Sequence, residues 1–329
     1  MDNSIQVAGQ FAQYEQNYPV EFTGRAGEYF RIWIVNLALT IVTLGIYSAW
    51  AKVRKKRYFY GNTLIDGEPF EYRGNPVNIL KGRVIAAALL ALNYALSRFY
   101  PALYIPFLIL LAAAIPWFIC RSLAFNAHNS AYRNIRFHFS GRYGEALKII
   151  VGLALLIPFS LGLLYPHYQA RRLRFIAERH RYGQTPFTLA GYDNARFYWI
   201  YGKASGILVA CFFAMILFIF TISDGAGLGS LLGRPGGAEA DKANRLIPSL
   251  LVALAYLFYL LPFVYVRART TNVLWNSIGI GSSRFVSTLR ARDMFALYLT
   301  NILAIIATLG LATPWAASEW HVTGRRGWR

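Results

Sequence analysis

Residues 28–57 read EYFRIWIVNLALTIVTLGIYSAWAKVRKKR. A carboxylate, Glu28, opens an apolar run of about the length that crosses a hydrocarbon core, roughly 20 residues. Thr43-Leu44-Gly45 breaks the run, Trp50 follows, and the basic stretch from Lys52 to Arg57 closes it. Parts of this pattern return twice. Adding 117 to each number takes Glu28 to Glu145, Thr43-Leu44-Gly45 to Ser160-Leu161-Gly162, and Arg54, Lys55 and Arg57 to Arg171, Arg172 and Arg174. Adding 265 takes Glu28 to Asp293, Asn36 to Asn301, Thr43-Leu44-Gly45 to Thr308-Leu309-Gly310, and Trp50 to Trp315. Several matches at one fixed offset mark an internal repeat.

The surrounding chain fits a membrane. Hydrophobic residues make up 56% of the 329, more than a soluble chain carries, and they gather in separate runs. Those runs lie near 29–50, 84–96, 102–120, 146–165, 204–222, 247–266 and 293–315. The net charge of +19 sits almost wholly between them. In a soluble protein such a charge points to nucleic acid, but here no aromatic-basic module of a nucleic-acid fold accompanies it. Basic loops beside membrane runs are instead the mark of a cytoplasmic side facing an anionic leaflet. Cys120 and Cys211 lie in or at the end of apolar runs, where a free thiol acts as a small hydrophobe.

Between the runs, alternation of apolar and polar residues predicts short strands. Val20 and Phe22 form one. Tyr58–Gly74 reads as a hairpin about Asp66-Gly67, and its Phe70-x-Tyr72-x-Gly74 returns as Phe187-x-Leu189-x-Gly191. Ile135, Phe137 and Phe139 make another strand, and 278–286 a further one. The expected architecture is therefore a mainly α, polytopic membrane protein with internal repeats and short cytoplasmic β elements between helices. A polar tail at 1–17 precedes one repeat at 18–133, a second at 134–271 and a partial third at 272–329. The Gly-rich stretch between the fifth and sixth runs is nearly neutral and is expected outside.

Topology poses a conflict. Seven straightforward spans would place the basic segment 167–203 opposite the basic loops 52–83 and 121–145, against the positive-inside tendency. Alternatively the three Thr/Ser-Leu-Gly runs re-enter on the cytoplasmic side, while 84–120 and 204–266 form two spanning hairpins. Every basic loop then shares one side. Both arrangements stand at this point.

Taken as a set, several motifs resemble the YjgN family of bacterial inner-membrane proteins. They are Thr43-Leu44-Gly45-Ile46-Tyr47-Ser48-Ala49-Trp50-Ala51 with Arg54 and Arg57-Tyr58, then Phe70-Glu71-Tyr72-Arg73-Gly74. Toward the end of the chain they are Asn272, Leu274-Trp275-Asn276, Arg284-Phe285, Tyr298, Asn301, Thr308-Leu309-Gly310 and Pro314-Trp315-Ala316. The resemblance covers roughly residues 18–320. Ala49 departs from a preferred Pro, and Glu319 and Val322 stand where the pattern favours Arg, so the third copy lacks most of its basic tail. The resemblance implies a multipass protein of the bacterial inner membrane and no particular activity.

No catalytic constellation is present: no His-Glu-x-x-His, Gly-x-Ser-x-Gly, Walker loop or Cys pair. The five histidines are scattered without metal-ligand spacing. Neither an enzyme, a cofactor nor a metal is expected. Interrupted helices at matching positions of repeats point to a transport path, which makes Gly45, Gly162 and Gly310 substrate-path candidates. Asn36 and Asn301 inside the runs join them, with Glu28, Glu145 and Asp293 at their starts. Plain readings stand beside these: close helix packing for the glycines, interhelical hydrogen bonds for the amides, and pairing with Arg25 or Arg142 for the carboxylates. Lys52, Arg54, Lys55, Arg57, Arg171, Arg172 and Arg174 are candidates for anionic lipid or ligand. The leading expectation is a transporter or channel-like conduit for a small molecule, lipid or ion. The alternative is a non-catalytic scaffold that binds anionic lipids or a cytoplasmic partner through its basic loops. Expected partners are the bilayer, anionic headgroups and a further copy of the chain, and not nucleic acid.

Overall fold

The computed structural model describes residues 18–226 and 238–323, with the side chains of 218–254, 256, 257 and 320–323 excepted. The tail 1–17 and most of the Gly-rich stretch lie outside the described residues. The chain is mostly helical. Strand β1 (Val20–Phe22) leads into α1 (Ala26–Val42) and α2 (Ser48–Gly61), then β2 (Thr63–Ile65) and β3 (Glu68–Tyr72). Helices α3 (Pro76–Phe99) and α4 (Pro101–His128) precede β4 (Ser130–Tyr132) and β5 (Ile135–Phe139). Next come α5 (Tyr143–Ala146), a π-helical turn (Leu147–Gly152), α6 (Leu153–Phe159) and α7 (Tyr165–Glu178), then β6 (His180–Tyr182) and β7 (Thr185–Leu189). The long α8 (Asn194–Ala226) and α9 (Ala238–Trp275) precede β8 (Ile278–Ile280) and β9 (Ser283–Arg284), and α10 (Ala291–Ala307) and α11 (Thr313–Thr323) follow.

The β elements are not separate pieces. They form one antiparallel nine-stranded meander in chain order, β1 to β9. The Tyr58–Gly74 hairpin is shorter than its sequence suggests, because Tyr58–Gly61 finish α2. Each helix pair leaves this sheet and returns to it, and one backbone hydrogen bond closes each excursion. Thr23 N–H donates to Asn62 C=O at 3.0 Å, Arg73 to Asn129 at 2.8 Å, Ser140 to Arg179 at 2.9 Å, and Ala190 to Ser277 at 2.8 Å. The first and third close loops of 39 residues; the second and fourth close longer ones. The same strand–helix–helix–strand path is thus followed four times, and β9, α10 and α11 begin a fifth.

Aromatic residues and glycines fit the strand ends to the helices. An added Cβ at Gly24, Gly74 or Gly141 would lie 2.6 Å from the Phe22 ring, 2.6 Å from Tyr72 or 2.5 Å from Phe139. In each case the aromatic ring two residues earlier folds over the bare glycine. Gly141 is the tightest, because Phe175 of α7 also stands 2.8 Å from that point. Gly141→Ala is therefore expected to cost about 1–3 kcal/mol through overpacking. A lowered thermal midpoint in detergent checks this, and the parental midpoint would count against it.

The helices pack in a circuit. Each contacts its neighbours along the chain, and α11 packs back against α1 and β1. No helix crosses the middle to pack extensively on the far side, among the described residues. The wall is one helix thick. Helix α3 has no buried residue, and exposed Leu103, Ile105, Ile109, Leu110, Ile115 and Trp117 point to all sides of α4. Exposed large apolar side chains far outnumber buried ones. Among the described residues, three helices are long and apolar enough to cross a membrane: Pro76–Phe99, Pro101–His128 and Asn194–Leu217.

Candidate functional site

The Thr/Ser-Leu-Gly runs are not single helices. Each divides at a turn built from the same bonds. Gly45 N–H reaches back to Thr40 C=O at 2.7 Å, Gly162 to Ile157 at 2.9 Å, and Gly310 to Ile305 at 2.8 Å. Leu44, Leu161 and Leu309 donate to Ile41, Pro158 and Ile306. Together these are the paired bonds of a Schellman helix stop. The residue types follow from the geometry. The glycines have φ of +91°, +86° and +94°, which suits a residue without Cβ. The Thr or Ser hydroxyl donates to the helix behind and accepts from the helix ahead: Thr43 Oγ1 bonds Leu39 C=O at 2.7 Å and receives Tyr47 N–H at 2.9 Å. Ser160 and Thr308 repeat both contacts.

The leucines are the unusual part. Leu44, Leu161 and Leu309 also sit at positive φ, 49°, 52° and 49°, a conformation that costs an L-residue roughly 1–2 kcal/mol. They are 94%, 93% and 95% exposed. Each turn therefore pushes a bare leucine beyond the end of a helical hairpin. Lys52 follows Leu44 by two turns, Arg171 follows Leu161 by fewer than three, and a helix rises 1.5 Å per residue. Leu44 and Leu161 thus stand about 12–15 Å above the first basic residues, near half of a ~30 Å hydrocarbon core.

These turns correct the expected picture in two ways. Each of the apolar runs 29–50, 146–165 and 293–315 divides into two helices at its turn, so none of them is one continuous helix. The glycines do not pack against a neighbouring helix either. A Cβ at Gly45, Gly162 or Gly310 would meet nothing within 4 Å. The other substrate-path candidates lie elsewhere. Asn36 and Asn301 are buried midway along α1 and α10, with Asn36 Oδ1 and Asn301 Nδ2 lacking hydrogen-bond partners. Glu28, Glu145 and Asp293 lie at the sheet end, about 25 Å from the glycine turns. Tyr58 Oη approaches Glu28 at 3.4 Å. Glu145 pairs with Arg179 at 2.8 Å, not with Arg142, and Asp293 has the adjacent Arg292 at 3.8 Å.

The cations divide by helix face. Lys52, Arg54, Lys55, Arg57 and Arg171 are exposed, Arg172 and Arg174 half-buried. Lys55 stands over the Tyr29 and Phe59 rings, and Arg174 over Tyr192 at 5.1 Å. The most enclosed cation of the cluster is Lys56, absent from the sequence-derived candidates. Its Nζ donates to Asn126 Oδ1 at 2.5 Å and lies 4.5 Å from the Tyr72 ring. Burial, and then Lys52 one turn away, push its pKa down. No signal in the sequence separates it from the other cations of the run.

The burial of His180 at the start of β6 predicts a pH-dependent stability. Burial pulls its pKa below the ordinary value, partly offset by a bond to Ile176 C=O. The folded pKa lies below the unfolded one, so the unfolded chain holds the extra proton between them. Stability is then full above about pH 6.5 and falls as pH drops through that window. His180→Gln is expected to flatten this acid limb in thermal melts; an unchanged limb would refute the assignment.

The family model described as "Bacterial protein of unknown function (DUF898)" matches residues 17–322. The chain belongs to this family. Its relatives include the "Inner membrane protein YjgN" of Salmonella typhimurium strain LT2, 28% identical over 91% of this chain and 85% of the relative. The protein of the same name from Escherichia coli K12 is 28% identical over 44% of this chain and 36% of its own length. No solved structure matches the chain. The inner-membrane name of these relatives accords with the long apolar helices and the many exposed apolar side chains.

Proposed function

We propose that this DUF898 member is a multipass inner-membrane protein that handles phospholipid, a non-enzymatic conduit whose ring of helical hairpins stands on a cytoplasmic sheet. In this reading the chain is built from repeated strand–helix–helix–strand units. The stretches 18–133, 134–271 and 272–329 then hold about two, two and one of them. The α3–α4 and α8–α9 hairpins span the bilayer. The three leucine-tipped hairpins re-enter and stop near its midplane, which leaves every basic loop on one side, as the positive-inside tendency favours.

The observation that carries the lipid reading is the one-helix wall with apolar residues on both faces. Ion and solute paths need polar groups or water along them, and along their apolar runs α3 and α4 offer few: Asn93, whose Oδ1 is buried without a partner, Tyr94 and Tyr104. An interior lined this way suits acyl chains. The half-depth hairpins would leave the outer leaflet open to that interior from the side.

The test is reconstitution into vesicles carrying headgroup-fluorescent phospholipid in both leaflets, followed by an impermeant reductant. Bleaching beyond the outer-leaflet half is expected in protein-containing vesicles. Protection of the inner half, with protein present in every vesicle, would remove the conduit and favour the scaffold reading, in which exposed Arg54, Lys55 and Arg171 bind anionic surfaces.

A further inference from the structure

Ser48, Lys52, Lys56 and Tyr60 follow one another at four-residue steps along α2, so they form a ridge inclined to the helix axis, with Lys52 between Ser48 and Lys56. This ridge meets the α3–α4 hairpin at Ser48 and Lys56, and β4 at Tyr60. Arg83 of α3 donates through Nη1 to Ser48 Oγ. Asn126 of α4 accepts from Lys56 Nζ at 2.5 Å, and Ser130 Oγ donates to Tyr60 Oη at 3.2 Å. Lys52 lies exposed between the two anchored levels, about 6 Å along the axis from each. Three cations, Lys52, Lys56 and Arg83, therefore share one groove at the base of a spanning hairpin. Among the described residues none of them forms an ion pair with a carboxylate. Below Lys56 the Tyr72 hydroxyl is buried, in a residue 4% exposed, and has no hydrogen-bond partner.

The same chain provides a comparison. At the shift of 117, Ser48, Lys52 and Lys56 become Tyr165, Gln169 and Leu173 on α7. There the three equivalent positions are uncharged and closed by side chains: Gln169 Nε2 donates to Tyr165 Oη at 3.0 Å, and Tyr165 packs edge-on against Tyr201 of α8. Equivalent backbone positions thus hold two lysines without carboxylate partners in one place and an uncharged aromatic contact in the other. Helix packing alone does not require the lysines.

We propose that the groove between α2 and the α3–α4 hairpin is a binding site for the phosphate headgroup of an anionic phospholipid. Lys52 and Arg83 supply free N–H donors, and Lys56 keeps donors beyond the one given to Asn126. The groove lies where a basic pocket between membrane helices meets headgroups on the cytoplasmic side. The occupant is a lipid because exposed apolar residues of the same hairpin, Val84 and Ile85, directly follow Arg83 and offer its acyl chains a surface. The site rests on the membrane orientation proposed above but not on lipid movement.

The test is retention of phosphatidylglycerol by the full-length protein, read by native mass spectrometry after solubilisation from vesicles of phosphatidylglycerol in phosphatidylcholine. Lys52→Gln with Lys56→Leu is expected to weaken retention about 30-fold, and Lys52→Gln alone about fivefold. Lys52 is exposed, so the single variant keeps the test valid if the double variant is unstable. Arg54→Gln with Arg171→Gln removes the same charge from outside the groove and should leave retention nearly intact. Equal losses in both double variants, no loss from Lys52→Gln, or displacement of the lipid by millimolar inorganic phosphate would each overturn the site. Normal retention changes with no leaflet exchange would sink the conduit alone.

Discussion

Aspartate at Leu44, Leu161 and Leu309 together is expected to prevent stable accumulation of the protein in membranes. In water these would be mild changes. The three side chains are 93–95% exposed, and surface substitutions usually shift stability by no more than about 0.5 kcal/mol. At the bilayer midplane the arithmetic differs. An ionised Asp there costs about 2.5–3.5 kcal/mol, and the lost Leu another 0.3–0.6, so each turn should lose roughly 3–4 kcal/mol. The backbone argues for the same depth. A leucine held at positive φ in all three turns is strain that must be offset, and burial in lipid offsets it at roughly 1.5–3 kcal/mol per side chain. Spin labels at these positions, in a background lacking Cys120 and Cys211, should be reached by oxygen and not by a polar relaxant. Wild-type accumulation and melting of the triple Asp variant in vesicles would show that the tips are not in lipid.

Phe197→Ala should cost about 3–5 kcal/mol, the usual range for a fully buried aromatic. Phe197 is 0% exposed near the start of α8, packed with Ala170 of α7 and with the Tyr192 ring at 5.5 Å. Tyr192 is tied to the same place, with Oη on Ala170 C=O at 2.8 Å and the Arg174 guanidinium over its ring. This cluster joins α7 of the Leu161 hairpin to the long helix α8, so its loss should loosen the packing there. Phe213→Ala removes the same atoms from a side chain 63% exposed on the same helix. It leaves no cavity and should cost far less. Thermal melts of both variants in one detergent check the contrast, and equal midpoints would mean that Phe197 is not a core residue of the folded membrane state.

The helix turns were legible before any coordinates because their residues are obligatory. A double hydrogen-bonded stop with positive φ needs Gly, and a hydroxyl that bonds both flanking helices needs Thr or Ser. So Thr43-Leu44-Gly45 and its two copies stand out in one dimension. The recurrence of the whole unit was much harder to see. The excursions closed at Arg73–Asn129 and Ala190–Ser277 carry long apolar helices in place of the Leu-Gly turn, so no fixed offset links them to the others. Strands β4 and β6 are three residues long, too short for alternation to register. Lys56 was hidden for another reason: within a basic run all cations look alike, and only the facing Asn126 and Tyr72 distinguish it.

By itself the sequence determined the membrane class, the three leucine turns and the grouping of charge beside apolar runs. Each of these follows from local chemistry: transfer of apolar side chains out of water, allowed φ, and hydrogen bonds within about five residues. Only the tertiary structure decided that the hairpins return to one nine-stranded sheet, that α11 closes the circuit on α1, and which lysine faces a neighbouring hairpin. Those outcomes depend on pairings between residues far apart in the chain. The residues that make them, such as Thr23 with Asn62 or Ala190 with Ser277, pair through backbone groups that every sequence carries.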